Sequence, residues 1–382
     1  MPIKVVHVVR QYHPSVGGME DVVQNIAHQQ RVRHGQLPKI ITLDRLFRNS
    51  AERLAADELV NNIPVMRLPY RGSSRYPLCP SVLEHVQDAD VIHVHGIDFF
   101  FDYLAATWPI HRRPMVVSTH GGFFHTGFAS AFKKIYFDTV TRVSSRAYAR
   151  VIATSDNDGE IFSGIVKPPK MVVIENGVNV EKYSAKSAPN LMPALIYFGR
   201  WSENKGLLET IAFFRHLVSQ QPGWKLIIAG REYDHSQEEL MALLQKHELS
   251  GCVRLAPNPS DQELASLIGQ SSYFICLSRH EGFGIAPIEA MSAGLTPVLS
   301  DIPPFRNLIE QSGLGVLLGE GSPADRTAAL LALHHQGERG YANRRMLAQA
   351  FVDRYNWQHI ADKYVDIYSI LANQALRRST CV

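Results

Sequence analysis

Residues Ser272–Gly294, SYFICLSRHEGFGIAPIEAMSAG, decide the fold. Tyr273–Leu277 is a run of β-formers, and Ser278–Phe283 is a polar turn, with Gly282 and Gly284 on either side of Phe283. Ala286–Ala293 has helical character, with Pro287 in the first turn, where a missing N–H costs nothing. The pattern predicts a strand, a tight turn and a helix start. Backbone N–H groups from Gly282, Phe283, Gly284 and Ile285 then point away from the helix and form an anion site. Glycines there allow a ligand to approach the backbone. Glu281 and Glu289 flank this turn, eight residues apart. A carboxylate repels phosphate, so the pair is expected to accept hydrogen bonds from sugar or ribose hydroxyls. Either Glu alone would more simply complement the helix dipole or sit exposed on a helix.

E-G-F-G-x-x-x-x-E resembles the E-x7-E signature of retaining glycosyltransferases that include phosphatidylinositol mannosyltransferases and glycogen and sucrose synthases. The resemblance implies the GT-B architecture, two facing Rossmann-like α/β domains of doubly wound parallel sheet, with the last helix crossing back to the first domain. At 382 residues the chain exceeds one ordinary core, so two domains agree with its length. The expected boundaries are 1–186 for an acceptor-binding domain, 187–356 for a nucleotide-sugar domain and 357–382 for the returning helix. Tyr183–Pro193 is polar and proline-bearing, which predicts a linker.

Composition excludes other classes. The hydrophobic fraction is 45% and the apolar runs are only strand-sized, so neither disorder nor a membrane span is expected. The N-terminal MPIKVVHVV enters a strand directly, without a signal-peptide pattern. Cys79, Cys252, Cys276 and Cys381 are scattered without CxxC pairing, which suits reduced thiols in a cytoplasm. Residues 1–186 hold 22 Lys+Arg against 17 Asp+Glu (+5), and 187–382 hold 17 against 19 (−2). The first half is the one that would favour an anionic surface.

Ile3–Val9 is a β-run that feeds Gly17-Gly18 and a helix with Val22, Val23, Ile26 and Ala27 at helical spacing. No G-x-G-x-x-G is present there, which argues against a dinucleotide-dependent dehydrogenase. The Gly-Gly turn resembles the one that approaches the donor phosphates in the family; alone, it would equally be a structural turn. Further strands at Lys39–Leu43, Val65–Leu68, Val91–Val94, Met115–Ser118, Val151–Thr154 and Met171–Ile174 alternate with helices, which predicts a parallel sheet with ligands beyond the strand C-termini. His95 and His120 lie on that edge. His120 matches the family histidine that touches the donor sugar. His93 and His95 suggest a metal pair, but no carboxylate or cysteine arrangement completes it. Ser155 and Arg231 are secondary candidates; S-x-x-D at Ser155 is also a plain helix cap. Asp88–Asp90 forms a D-x-D, but Asp90 begins its strand, on the wrong edge. No essential metal and no cofactor are expected.

Phe123–Ala153 is aromatic on one side and basic on the other. It predicts a core-facing helix, with Phe123, Phe124, Phe128, Lys133 and Lys134 at an acceptor or membrane surface. Arg200 and Lys205, in FGRWSENKG, place two positive charges to suit a diphosphate. G-R-x-x-x-x-K-G resembles the family's second signature. After Trp224–Gly230 the family often continues with G-x-G, whereas Arg231 follows here. Val253–Asp261 is placed to read a base, and its residues leave guanine and uracil equally open. Trp357, Ile360, Tyr364, Ile367 and Tyr368 share one helical face.

VVRQYHPSVGGME, HGIDFF, STHGGFFHT and SRHEGFGIAPIEAMSAGLTPVLSDIPPF resemble the α-mannosyltransferases of xanthan- and acetan-type exopolysaccharide assembly. The resemblance implies retaining transfer of mannose from GDP-mannose to a polyprenyl-diphosphate-linked cellobiose, with an α-1,3 product. It places the enzyme as a peripheral protein on the inner face of the cell membrane, without nucleic acid. The assigned roles are His120 and Glu281 to donor-sugar hydroxyls, Glu289 to ribose, Arg200 and Lys205 to the diphosphate, and Gly17 and Gly18 to phosphate or reaction centre. A nucleotide-sugar epimerase would share the architecture, as would a phosphorylase carrying pyridoxal phosphate. A non-catalytic sugar-nucleotide-binding subunit would bind GDP without transfer.

Overall fold

The computed structural model describes residues 2–47, 51–74, 76–121 and 134–380. The chain divides into two compact units, Met1–Gly177 with Trp357–Val382, and Val178–Asn356. The crossover falls earlier than the expected 186/187 boundary. Val178, Val180 and Tyr183 are buried in the core of the second unit, and Ser187 and Ala188 are buried too. Residues 183–193 thus belong to that unit and do not join the two, although Ser184, Ala185, Lys186, Pro189, Asn190 and Met192 are exposed. The polar composition misled because small residues such as Ser187 and Ala188 are covered by neighbouring chain: Ser187 N donates to Ala293 O and Ala188 N to Ser271 O.

The first unit holds strands β1 (Lys4–Val8), β2 (Leu37–Leu43), β3 (Asp57–Val60), β4 (Ile63–Leu68), β5 (Arg71–Ser73), β6 (Tyr76–Leu78), β7 (Val91–His95), β8 (Met115–Ser118), β9 (Arg150–Ala153) and β10 (Met171–Val173). Eight of them form a sheet in the order β10-β9-β8-β7-β1-β2-β4-β3. Their central strands are Val- and Ile-rich and buried, as a sheet covered on both faces requires. The sheet is not wholly parallel: β3 runs antiparallel to β4 at the edge. Asn61 and Asn62, both at positive φ (50° and 63°), make the two-residue turn that joins them. The mostly exposed DELV lacks an apolar alternation that would mark it as a strand.

The predicted helix over 123–153 is shorter than expected. Among the described residues the chain is helical over 134–147, with a π-turn at Phe137–Thr141, and Arg150 already belongs to β9. Lys134 is exposed at its start. Phe123, Phe124, Phe128 and Lys133 lie outside the described residues, as does Cys381; the other three cysteines are free thiols.

The final helix, Trp357–Thr380, belongs to this first unit. Its Trp357, Ile360, Tyr364, Tyr368 and Leu371 pack with Val5, Val91, Val116 and Ile152 from the sheet. An Arg33–Asp362 ion pair at 3.0 Å ties it to the Gly18–His34 helix. Among the described residues no helix is long and apolar enough to cross a membrane.

The second unit has β11 (Ala194–Phe198), β12 (Lys225–Gly230), β13 (Val253–Pro257), β14 (Tyr273–Cys276), β15 (Thr296–Ser300) and β16 (Val316–Leu318), all parallel, in the order β13-β12-β11-β14-β15-β16. Strand order reverses between β1 and β7 in one sheet and between β11 and β14 in the other. Such switch points open a crevice beyond the strand C-termini. The residues there are Val9–Gly18 and His95–Gly96 in the first unit, and Gly199–Lys205 and Ser278–Ile285 in the second.

Candidate functional site

In the second unit the turns after β11 and β14 are stitched to each other. Asn204 Nδ2 donates to the His280 carbonyl at 2.9 Å, and Arg279 N donates to Asn204 O at 2.9 Å. Gly206 makes this approach possible. It sits at φ +63°, and a Cβ there would lie 1.8 Å from the Leu277 carbonyl oxygen. Gly230, at φ +145°, meets Gly199 as closely, its Cβ position being 1.7 Å from Gly199 O. The β11 turn is also held from the β12 side, where Trp201 N donates to Arg231 O and Asp234 N to Trp201 O. Arg231 thus contributes its backbone to the turn while its side chain is exposed.

This stitching brings Lys205 to Glu281, with Nζ 2.7 Å from Oε1. Ser278 Oγ donates to the same oxygen at 2.8 Å. The two signatures therefore meet in one ion pair, and Lys205 is already partnered by a carboxylate. Arg200 is exposed, its guanidinium 5.3 Å from the centre of the Tyr233 ring.

The Ile285–Ala293 helix follows at once, and its cap residue Gly284, at φ +90°, offers no side-chain cap. The first-turn amides thus remain available to an anion. Gly284 has an internal reason to be glycine, since its Cβ would lie 3.0 Å from the Phe305 ring. Phe283 packs edge-on against Tyr355 at 5.7 Å between ring centres. Gly282 is different, because among the described residues a Cβ there would meet nothing within 4 Å.

Glu289, one turn into this helix, is half-buried, and burial raises its carboxyl from 4.5 to about 7 despite the pull of Lys182. Lys182 pairs with Asp261 at 2.8 Å, and Tyr183 OH donates to the same Asp261 oxygen at 3.1 Å. Asp261 opens the helix that ends the β13 loop. The sequence pattern does not show the Lys182–Tyr183–Asp261 group beside Glu289, because its members are remote in sequence and Tyr183 opens the polar, proline-bearing stretch that predicts a linker.

In the first unit, Gly17 caps the Gly18–His34 helix in an extended conformation, without a side-chain cap. Glu20 folds back there: its Oε2 lies 2.6 Å from where a Gly17 Cβ would be, and its Oε1 accepts from Ser15 Oγ. That carboxylate disfavours a phosphate at this helix start. Ser155 accepts from Asp158 N at 3.2 Å and is a helix cap. Asp90 accepts from Lys4 N at 2.8 Å, at the start of β7, far along the strand from the crevice edge.

His120 follows β8 at φ +53°, with Gly121 at +66°. It is half-buried, and burial lowers its imidazole to about 4. Its Nε2 lies 3.0 Å from His95 Nδ1, and His95 Nε2 lies 3.0 Å from His7 Nδ1. His7 and His93, both fully buried, were not read from sequence as partners of His120. The available signal was positional: His7 pairs with His93 in the β1–β7 register, and His95 is two residues on, so all three side chains share one sheet face.

Residues 16–182 match the family described as Glycosyltransferase Family 4, and residues 179–351 match Glycosyl transferases group 1. A protein of Xanthomonas oryzae pv. oryzae named GDP-mannose:cellobiosyl-diphosphopolyprenol alpha-mannosyltransferase is 51% identical, over 96% of each chain. The protein of that name from Komagataeibacter xylinus is 40% identical, over 98% of this chain and 95% of the other. This chain belongs to glycosyltransferase family 4. Among solved structures, a glycosyltransferase from Rickettsia africae superposes with a TM-score of 0.75 at 18% identity, over 97% of this chain and 98% of that one. Anabaena Alr3699/HepE in complex with UDP gives 0.71 at 19%, over 96% and 100%. The two parallel-sheet α/β units of this glycosyltransferase have the GT-B fold.

Proposed function

We propose that this family 4 glycosyltransferase moves mannose, with retention, from GDP-mannose to cellobiosyl-diphosphopolyprenol, giving an α-1,3 linkage at the inner face of the cell membrane during exopolysaccharide assembly. Donor and acceptor are those named for the relatives at 40–51% identity. The observation that carries the chemistry is the stitched pair of turns. In it Lys205 meets Glu281, while Arg200, the Gly284–Ile285 amides and Glu289 belong to the segments that follow the same two strands.

The diphosphate binds Arg200, Lys205 and the helix-start amides, which stabilise the negative charge that grows as the mannosyl C1–O bond breaks. Glu289 accepts hydrogen bonds from ribose hydroxyls. Glu281 and His120 hold hydroxyls of the mannosyl group. Gly17 and Gly18 line the reaction centre and leave the phosphates to the second unit, since Glu20 would repel them. Among the described residues nothing requires glycine at Gly18 or Gly282, where a Cβ would meet no described atom within 4 Å, and close approach of substrate supplies the reason. No side chain is assigned as a nucleophile. The acceptor oxygen attacks C1 on the face that GDP leaves, and its proton passes to the departing phosphate oxygen. The fixed cations take the place of a metal. Lys134, the described end of the aromatic and basic segment, belongs to the acceptor or membrane surface.

The test is to incubate the pure protein with GDP-mannose and cellobiosyl-diphosphopolyprenol, with and without EDTA. The expected product is the α-mannosylated lipid at equal rates in both. Release of GDP with no lipid product would refute the acceptor, and activity only with a divalent ion would refute the metal-free reading.

A further inference from the structure

His120 is the outermost of a chain of hydrogen-bonded groups that runs into the first sheet. Behind it lie His95, then His7, whose Nε2 is 2.7 Å from Gln30 Oε1; Gln30 Nε2 donates in turn to Gln36 Oε1 at 3.1 Å. His7, His95 and Gln30 are fully buried. His93 packs beside this chain but bonds outside it, with Nδ1 2.6 Å from Tyr368 OH and Nε2 2.9 Å from Ser118 Oγ.

The nitrogens of His7, His93 and His95 lie close enough together, within 4.8 Å, to suggest a metal site. Both nitrogens of each ring already have a hydrogen-bond partner, so the cluster is satisfied as a network and leaves no lone pair for an ion.

The network has a direction. Gln30 spends its N–H on Gln36 and turns its carbonyl to His7, and a carbonyl only accepts. His7 therefore carries its proton on Nε2. Its Nδ1 is then the acceptor of a hydrogen bond from His95 Nε2–H. By the same logic His95 Nδ1 accepts from His120 Nε2–H. We propose that Gln30, His7 and His95 are positioning residues that fix His120 as its Nε2–H tautomer, so that Nδ1 presents a bare lone pair to a donor-sugar hydroxyl. Burial holds His7 and His120 down to about 4 and His95 well below its usual range, which keeps every ring neutral and the chain of dipoles intact near pH 7. A donor N–H at this position would serve a sugar oxygen instead. The relay thus decides which partner His120 accepts.

The inference rests on the sugar-contacting role given to His120 above, but its direct readout needs no substrate. Long-range 1H–15N correlation spectra of the 15N-histidine-labelled protein at pH 7, with His120 assigned by its loss in His120→Asn, should show His7, His95 and His120 all protonated on Nε2. A proton on His120 Nδ1, or a mixture of tautomers, would overturn the proposal. Gln30→Met removes the acceptor at the buried end. It should shift the His120 Nδ1 resonance toward the protonated form and lower kcat roughly tenfold, the scale of one lost hydrogen bond. Gln30→Glu, neutral in this fully buried place, should restore both, because its carbonyl accepts from His7 while its O–H replaces the amide N–H toward Gln36. Unchanged tautomer and kcat in Gln30→Met would also overturn it. Absence of mannosyl transfer with the Nε2–H tautomer intact would count against the activity and leave the relay standing.

Discussion

The two switch points of this glycosyltransferase solve the same topological problem with different polar groups. After β11 and β14 the polar groups are charged and within reach of solvent: Arg200 is exposed, and Lys205 and Glu281 keep side-chain exposures of 23% and 11%. In the first unit an Arg10–Asp98 ion pair at 3.0 Å and Glu20 also stand near the switch point. The groups lined up behind His120, however, are the imidazoles of β1 and β7, fully buried except His120 itself, and burial holds them neutral. A diphosphate is strongly hydrated and needs full charges and free amides to replace its water. A sugar hydroxyl needs an oriented neutral acceptor, which a desolvated tautomer provides without competing for phosphate.

The contrast can be broken at its joints. Gly206→Ala should have the largest effect: a Cβ 1.8 Å from a backbone oxygen must separate the stitched turns, at a cost of more than about 4 kcal/mol in denaturant unfolding. Gly18→Ala, which meets no neighbour, should stay within about 0.5 kcal/mol in stability yet still lower kcat. Next, Lys205→Ala should lower kcat about 100- to 1,000-fold, on the scale of one preorganised transition-state donor. Glu281→Gln sharpens the same point, because releasing Lys205 from its 2.7 Å partner should tighten GDP binding in calorimetry while slowing transfer.

Glu289 comes third. Its folded value of about 7 lies above the usual 4.5, so the fold favours the protonated acid, and its contribution to stability is lost as pH rises from about 4.5 through 7. Donor binding needs the carboxylate as acceptor, so the donor KM should fall as pH rises through about 7. Glu289→Gln should raise the KM at pH 8 and flatten that profile; an unchanged KM would remove the ribose role. The smallest effect is expected of Ser155→Ala, a lost helix cap worth about 1 kcal/mol with kcat preserved.

The charged switch point was largely legible in the sequence. Its glycines, Arg200, Lys205, Glu281 and Glu289 sit in short segments whose spacing follows from strand, turn and helix start. What spacing leaves out is pairing across segments: that Lys205 meets Glu281 over 76 positions, or that Lys182 and Asp261 surround Glu289, is set by sheet order. The neutral switch point was legible only at its tip, His120. His7 sits inside an apolar strand and resembles a tolerated core residue until the β1–β7 register brings it beside His93. The antiparallel β3 stayed hidden because an exposed edge strand needs no apolar face.

The division of labour itself is tested most directly by titrating GDP into the wild-type protein, Lys205→Ala and His120→Ala by calorimetry. Loss of a charge-assisted contact should weaken GDP binding roughly tenfold or more in Lys205→Ala. His120→Ala should bind GDP as the wild type does while its kcat falls. Equal weakening of GDP in both variants, or intact GDP affinity in Lys205→Ala, would contradict the assignment of the diphosphate to Lys205 and of a sugar contact alone to His120.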